Sequence, residues 1–106
     1  MEFMKKLEKA LKLFGDLDPG ALPLHHAQIF LFIAEMKSCT YREIEEKFDI
    51  SNASASRVVN SLSKKARHRQ TSLGLIDVYI DPEEGRRYRA RLSKKGKTLL
   101  KNIQDI

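Results

Sequence analysis

The sequence predicts a mostly helical α+β domain in which two short helices joined by a tight turn precede a two-stranded antiparallel hairpin. Three observations predict it. A capping box opens the first helix of the pair, a serine opens the second, and two segments of strand-like alternation flank a turn that contains proline and glycine. At 106 residues the chain fits one domain, which we expect to span residues 1–106.

The N-terminal part predicts two helices of different character. Residues 3–14 repeat apolar side chains at three- and four-residue spacing, which predicts an amphipathic helix that ends at Gly15. The Asp18-Pro19-Gly20 signal predicts a loop over residues 16–23. Residues 24–37 are apolar nearly all round, which is typical of a buried central helix. A strand is the competing interpretation of the short run 29–33, but the length of the segment favours a helix.

The middle of the chain predicts a helix-turn-helix. Thr40 and Glu43 have the spacing of a capping box, so a short helix should run over residues 41–48. A turn then leads to Ser51, an N-cap residue type, and to a second helix over residues 52 to about 65. The apolar stripe of this second helix consists of Ala55, Val58, Val59 and Leu62.

The rest of the chain predicts a hairpin and a closing helix. Residues 75–81 and 86–92 alternate at period two, and the stretch 82–85 between them forms the tip. Ile76, Val78 and Ile80 share one side of the first strand, and Tyr88, Ala90 and Leu92 share one side of the second. Ser93 then caps a helix that carries Leu99, Leu100 and Ile103. Helix-turn-helix followed by hairpin is the order of a winged helix-turn-helix.

The positive charge is confined to the second half of the chain. The formal net charge is +6, yet residues 1–50 carry a balance of −2 and residues 51–106 a balance of +8. A one-sided basic surface attracts polyanions such as nucleic acids, although solvated lysine-rich faces are also common.

Several classes of protein do not fit the composition. The single cysteine, Cys39, allows no internal disulfide, the N-terminus lacks the apolar run of a signal peptide, and residues 27–34 are too short for a membrane span. We therefore expect a cytoplasmic protein that has no contact with a membrane. Cys39 precedes a helix N-terminus, which can lower a thiol pKa, but a lone cysteine is more often inert packing.

The sequence also contains no catalytic or metal-binding pattern. It has no glycine-rich phosphate loop and no nucleophile paired with a base. His25 and His26 are adjacent, so they point to different helix faces, and His68 is far away, so no zinc-ligand spacing is found. We expect no enzymatic activity, no catalytic residue, no cofactor and no metal.

The second helix of the pair has the chemistry of a major-groove reader. Its polar face carries short side chains and one arginine, and asparagine and arginine can form bidentate contacts with adenine and guanine. The candidate base-reading residues are Asn52, Ser54, Ser56, Arg57 and Asn60. The alternative is a serine-rich exposed helix without a partner.

The hairpin and the loop before it supply candidate contacts to the DNA backbone. Arg87, Arg89 and Arg91 alternate along one strand, about 6.5–7 Å apart, which is similar to the spacing of successive phosphates. Arg86 at the tip suits the narrow minor groove. Further candidate backbone residues are Lys64 and Lys65 at the end of the second helix and Arg67 and Arg69 in the loop that follows it. The alternative is that the strand arginines only keep a sheet edge soluble.

These segments resemble the MarR family of bacterial regulators, which are winged-helix proteins. The stretch from Asp81 through Glu84 and Arg86 to Leu92-Ser93-Lys94-Lys95-Gly96 is similar to the wing motif of that family, Asp-x-x-Asp-x-Arg followed by Leu-Thr-x-x-Gly, without a gap. Residues 54–62 resemble its recognition helix. The resemblance covers about residues 20–100, and the basic loop at residues 67–70 is an insertion relative to the family pattern.

The resemblance implies a transcriptional regulator, most simply a repressor, that binds a near-palindromic duplex site as a homodimer. The helices within residues 1–15 and 93–106 would form the dimer interface, although packing within the monomer is an equal alternative. The sequence gives no support for a small-molecule effector. Two other functions stay open: another nucleic-acid task, such as replication, packaging or RNA binding, and a protein-protein interaction module.

Overall fold

The computed structural model describes residues 1–17, 22–63, 73–85 and 87–106. Its elements, in chain order, are α1 (Glu2–Gly15), α2 (Leu24–Met36), β1 (Cys39–Thr40), α3 (Tyr41–Phe48), α4 (Asn52–Leu62), β2 (Ile76–Ile80), β3 (Tyr88–Leu92) and α5 (Lys94–Gln104). The predicted winged helix-turn-helix order and the mostly helical α+β class are confirmed.

The described part of the sheet has three strands rather than the two that were predicted. β2 pairs antiparallel with β3 from Ile76↔Leu92 to Ile80↔Tyr88, as expected for the hairpin. β1 pairs with the other edge of β3, with Cys39 opposite Ala90. A strand of two residues is too short to show period-two alternation, so no pattern in the sequence indicates it.

α4 ends at Leu62, whereas the sequence predicted a helix to about Lys65. Ser63 has an extended conformation, with φ −89° and ψ −166°. The chain that returns toward β2 then bonds the end of the helix, because the Leu75 amide donates to the Leu62 carbonyl at 2.7 Å. The carbonyls at the end of α4 therefore accept hydrogen bonds from the segment that leads into β2, rather than from a further turn of helix.

α3 spans the predicted residues 41–48, and the other boundaries agree with the prediction to within two residues. α1 includes Gly15, and its C-cap is Asp16 rather than the glycine. α2 is helical through residues 29–33 and stops at Met36, because Lys37 has a positive φ of 67°. Residues 18–21 of the predicted loop lie outside the described residues.

The core is built around α2. Ile29, Phe30 and Ile33 are fully buried, and α2 packs against α4 and β3. Val59 of α4 and Ala90 of β3 are equally buried. Burying each large apolar side chain contributes about 1.5–3 kcal/mol, so this core holds the helix-turn-helix and the hairpin in one fixed relation.

α1 is amphipathic but is only partly covered by the rest of the chain. Phe14 is buried and its ring meets Phe30 edge to face, with centroids 5.7 Å apart. Nearer the N-terminus, Phe3 is 73% exposed and Leu7 and Leu11 are 44% and 45% exposed. α1 packs on α5. None of the described helices is long and apolar enough to cross a membrane.

Candidate nucleic-acid interface

Local hydrogen bonds position both helices of the helix-turn-helix. The Glu43 amide donates to Thr40 Oγ1 at 3.1 Å and the Thr40 amide donates to Glu43 Oε1 at 2.8 Å, which is the predicted capping box. Asp49 adopts the left-handed conformation and ends α3. The Ser54 amide then donates to Ser51 Oγ at 3.1 Å and caps α4. The N-terminus of α4 is therefore fixed by its own sequence.

α4 has an inner face, which also includes the buried Ser61, and an outer face. Its apolar residues Ala55, Val58, Val59 and Leu62 are all buried. Of the candidate base-reading residues, Asn52, Ser54 and Arg57 are exposed, and Ser56 and Asn60 are half-buried. The structure therefore places all five off the buried stripe, and the three at the outer surface include the only arginine in the helix.

The side chain of Asn52 already has a partner within the protein. Its Nδ2 donates to Glu45 Oε2 of α3 at 3.1 Å. The carboxylate can only accept, so it fixes the amide nitrogen toward α3 and leaves Oδ1 on the other side. Among the bases, the carbonyl oxygen of Asn52 would accept from adenine N6 or cytosine N4.

The hairpin of β2 and β3 is the wing of this fold, and its tip is organised by Asp81. Its Oδ1 accepts from the Glu83 amide at 2.9 Å, and its own amide donates to the Arg87 carbonyl at 2.8 Å. The bond from Glu83 lowers the pKa of the Asp81 carboxyl; burial opposes this and the nearby Arg89 adds to it. The carboxylate thus stays charged and holds the turn between β2 and β3 together.

The three strand arginines are in different environments. Arg87 precedes β3, is half-exposed and lies 3.2 Å from a Glu84 carboxylate oxygen. Arg91 is exposed, and its guanidinium carbon lies 4.3 Å from the centre of the Tyr79 ring. Arg89 has only 26% of its side chain exposed and is bonded within the protein. Arg87 and Arg91 fit the expectation of surface cations, whereas Arg89 is mostly covered and hydrogen bonded within the protein.

Five of the candidate backbone residues cannot be placed. Arg86, Lys64, Lys65, Arg67 and Arg69 lie outside the described residues. His68 lies outside them as well. Within the described ranges, no three His, Cys, Asp or Glu side chains are grouped closely enough to hold a metal ion.

Cys39 does not have the lowered pKa that its position before a helix allowed. It lies in β1, is fully buried, and its pKa is raised from 9.0 to about 11, mainly by burial and further by the charge of Glu43, with Arg89 opposing. The strand placement overrides the effect of the helix N-terminus. The interpretation as inert packing fits this environment.

Sequence reasoning missed one group of polar residues. Ser38 and Tyr79 hydrogen bond through their hydroxyl oxygens at 2.5 Å, and Ser38 also accepts from Arg89. Ser38 precedes a strand that the sequence does not indicate, and its partners are 41 and 51 positions away in the chain. No local signal could have found this contact.

Several solved structures share the architecture of this chain, and two of the three named below contain DNA. No family model and no curated protein matches the sequence. A mutant of S. aureus MepR bound to an oligodeoxyribonucleotide is 18% identical with a TM-score of 0.73, over 99% of this chain and 70% of that one. YusO from Bacillus subtilis is 16% identical with a TM-score of 0.68, over 97% of this chain and 65% of that one.

A mutant of MarR from E. coli complexed with operator DNA is 14% identical with a TM-score of 0.66. The match covers 97% of this chain and 69% of that one. This chain thus spans about two thirds of the length of the three structures. At these identities the likeness concerns the fold, and it confirms the predicted resemblance at that level. The chain has the winged helix-turn-helix fold of the MarR-like regulators.

Proposed function

We propose that this protein is a sequence-specific regulator of transcription that binds double-stranded DNA. The observation that carries the proposal is the outer face of α4, where a capped helix presents Asn52, Ser54 and Arg57 to solvent instead of a Glu/Lys pattern. Short polar side chains allow the helix to approach the groove floor, and Arg57 can reach guanine O6 and N7. Two structures of this fold bind DNA, namely MepR and MarR.

Ser56 and Asn60 take part at the edges of the same reading surface, because they are half-buried beside it. Arg87 and Arg91 bind phosphates from the wing, and we extend this role to Lys64, Lys65, Arg67 and Arg69. Arg86 follows the glycine of the wing tip in the sequence and is proposed for the minor groove. Such contacts release counterions, so affinity should fall steeply as salt rises.

The protein acts as a homodimer in this proposal. The exposed large apolar side chains at this end of the chain are those of Met1, which precedes α1, and of Phe3, Met4, Leu7 and Leu11 within it. A second copy would cover this stripe together with α5, which packs on α1. An exposed apolar patch of this kind is typical of an interaction surface, and two-fold symmetry matches a near-palindromic site.

The sign of regulation in this proposal is repression, since a bound dimer can block a promoter without any further contact. No enzymatic step is included, and we place the protein in the cytoplasm, where its target DNA is found. A reporter gene preceded by the selected site would test the sign: expression should fall when the protein is supplied, and a rise would show activation.

Selection from random duplex DNA at physiological salt tests the proposal. We expect a near-palindromic motif whose half-sites are separated by about one helical turn, 10–10.5 base pairs. The selected duplex should then be competed with single strands and with RNA of the same sequence. If RNA or single strands displace the labelled duplex more effectively than unlabelled duplex does, another nucleic-acid task would be favoured. Recovery of no motif and no salt-dependent binding would favour a protein-protein module.

A further inference from the structure

Arg89 contacts three different parts of the protein at once, through two hydrogen bonds and a longer ion pair. Its Nε donates to Ser38 Oγ at 2.9 Å, Nη1 lies 3.3 Å from Asp81 Oδ2, and Nη2 lies 3.9 Å from Glu43 Oε1. These partners belong to the segment after α2, the wing tip and the first turn of α3. Each nitrogen of the guanidinium thus points to a separate element.

The two acidic partners also fix the backbone of their own elements. The Asp81 carboxylate accepts from the Glu83 amide and shapes the wing tip. The Glu43 carboxylate accepts from the Thr40 amide and starts α3. A displacement of the wing tip relative to α3 would therefore break either the Arg89–Asp81 or the Arg89–Glu43 contact.

The local charge makes this site unsuitable for a phosphate. Two carboxylates face one guanidinium, so the group carries a net charge of −1 and an approaching phosphate would be repelled. The planar fork of arginine can serve several acceptors at once, which a lysine ammonium on the same stem cannot reproduce.

We propose that Arg89 is a positioning residue that sets the orientation of the wing relative to the helix-turn-helix, and that it does not bind DNA phosphate itself. The inference rests on the proposed DNA-binding function and deepens it. We call the contacts of Arg89 with Ser38, Asp81 and Glu43 the Arg89 brace. When these contacts are formed, the wing tip and α4 meet the duplex in one fixed geometry, and the entropic cost of ordering them on binding is reduced.

The first test uses the protein without DNA, so it does not depend on the proposed function. We expect Arg89→Lys to speed hydrogen exchange at the Glu83 and Thr40 amides by about tenfold. Arg91→Lys, on the same face of the same strand, is the matched control and should leave both amides unchanged. Unchanged exchange in Arg89→Lys would overturn the brace.

The second test measures affinity for the selected site and for a scrambled duplex. A brace predicts that Arg89→Lys lowers the ratio of the two affinities by about tenfold although the charge is kept. Arg91→Gln should instead weaken both duplexes equally and reduce the salt slope by about 1. The opposite outcome is that Arg89→Lys binds as the wild type does, while Arg89→Gln loses the same affinity for both duplexes. Arg89 would then be a phosphate contact, and the inference would fail.

Ser38→Ala provides a variant that alters the brace without touching an arginine. Removing this acceptor should lower the affinity ratio in the same direction as Arg89→Lys, and the two effects should be less than additive, since both act on one network. Fully additive effects would overturn the inference. Wild-type protein that discriminates no duplex would refute the proposed function alone, because the exchange experiment still decides the brace.

Discussion

Gly96, in the first turn of α5, packs directly on the backbone carbonyl of Leu75, and a Cβ added at Gly96 would overlap that oxygen. The same junction is held by Ser93, whose amide donates to the Leu75 carbonyl at 2.9 Å and whose hydroxyl donates to the Gly74 carbonyl at 2.6 Å. The serine and glycine at three-residue spacing thus tie α5 to the segment that leads into β2.

Gly96→Ala should lower the free energy of unfolding by about 1–3 kcal/mol, because the new methyl group meets backbone atoms that cannot turn away. Urea unfolding followed by circular dichroism measures the change. Gly15→Ala is the matched control, since open space surrounds Gly15 within α1 and alanine is the better helix former. Its stability should be unchanged or raised by up to about 1 kcal/mol. Equal midpoints for Gly96→Ala and wild type would contradict the packing argument.

Leu7→Glu should convert the proposed homodimer into a monomer, because a buried, unpaired carboxylate in the α1 stripe would repel its symmetry mate. Sedimentation velocity measures the oligomeric state at micromolar concentration. Ile80→Glu, a similar change at a 55% exposed residue of the wing, should remain dimeric. A monomeric wild type, or a Leu7→Glu variant that stays dimeric, would show that the stripe is not the interface.

Arg57→Ala should cost about 1–3 kcal/mol in binding and relax specificity at one base position, because Arg57 is the exposed arginine of α4. Quantitative binding to a set of single-base variants of the selected site measures this. Arg42→Ala removes another exposed arginine, which pairs with Glu46 on α3, and it should leave the base preference intact. A uniform loss on every sequence would assign Arg57 to the backbone instead.

Cys39 should resist alkylation in the native protein. A pKa raised from 9.0 to about 11 lowers the thiolate population at pH 8 by about a hundredfold, and complete burial excludes the reagent as well. Mass spectrometry after treatment with iodoacetamide, with and without urea, measures the accessibility. Modification should require unfolding, and rapid labelling of the folded protein would contradict the buried placement in β1.

Much of the local structure could be predicted because its causes lie within a few residues. The capping box of α3, the N-cap of α4 and the apolar stripes each depend on residues three or four positions apart. Most of the outer face of α4 could be predicted for the same reason, although Ser61, which is not on the apolar stripe, is buried as well.

In the wing, alternation predicts which residues share a side of a strand but not how exposed they are or which residues they contact. Period-two alternation groups Ile80 with Ile76 and Tyr88 with Leu92, yet Ile80 and Tyr88 are 55% exposed, whereas Ile76 and Leu92 at the other end of the same pairing are buried. Likewise, alternation groups Arg87, Arg89 and Arg91 on one side but cannot show that Arg89 meets two carboxylates from two different elements.

Local periodicity, capping and charge were thus sufficient for the order of the elements, the polar helix face and the basic wing. The third strand, the end of α4 and the role of Arg89 required the folded chain. Each depends on contacts between segments far apart in sequence, such as Ser38 with Arg89 across 51 positions, and such pairings arise only when the core brings α2, α3 and the hairpin together.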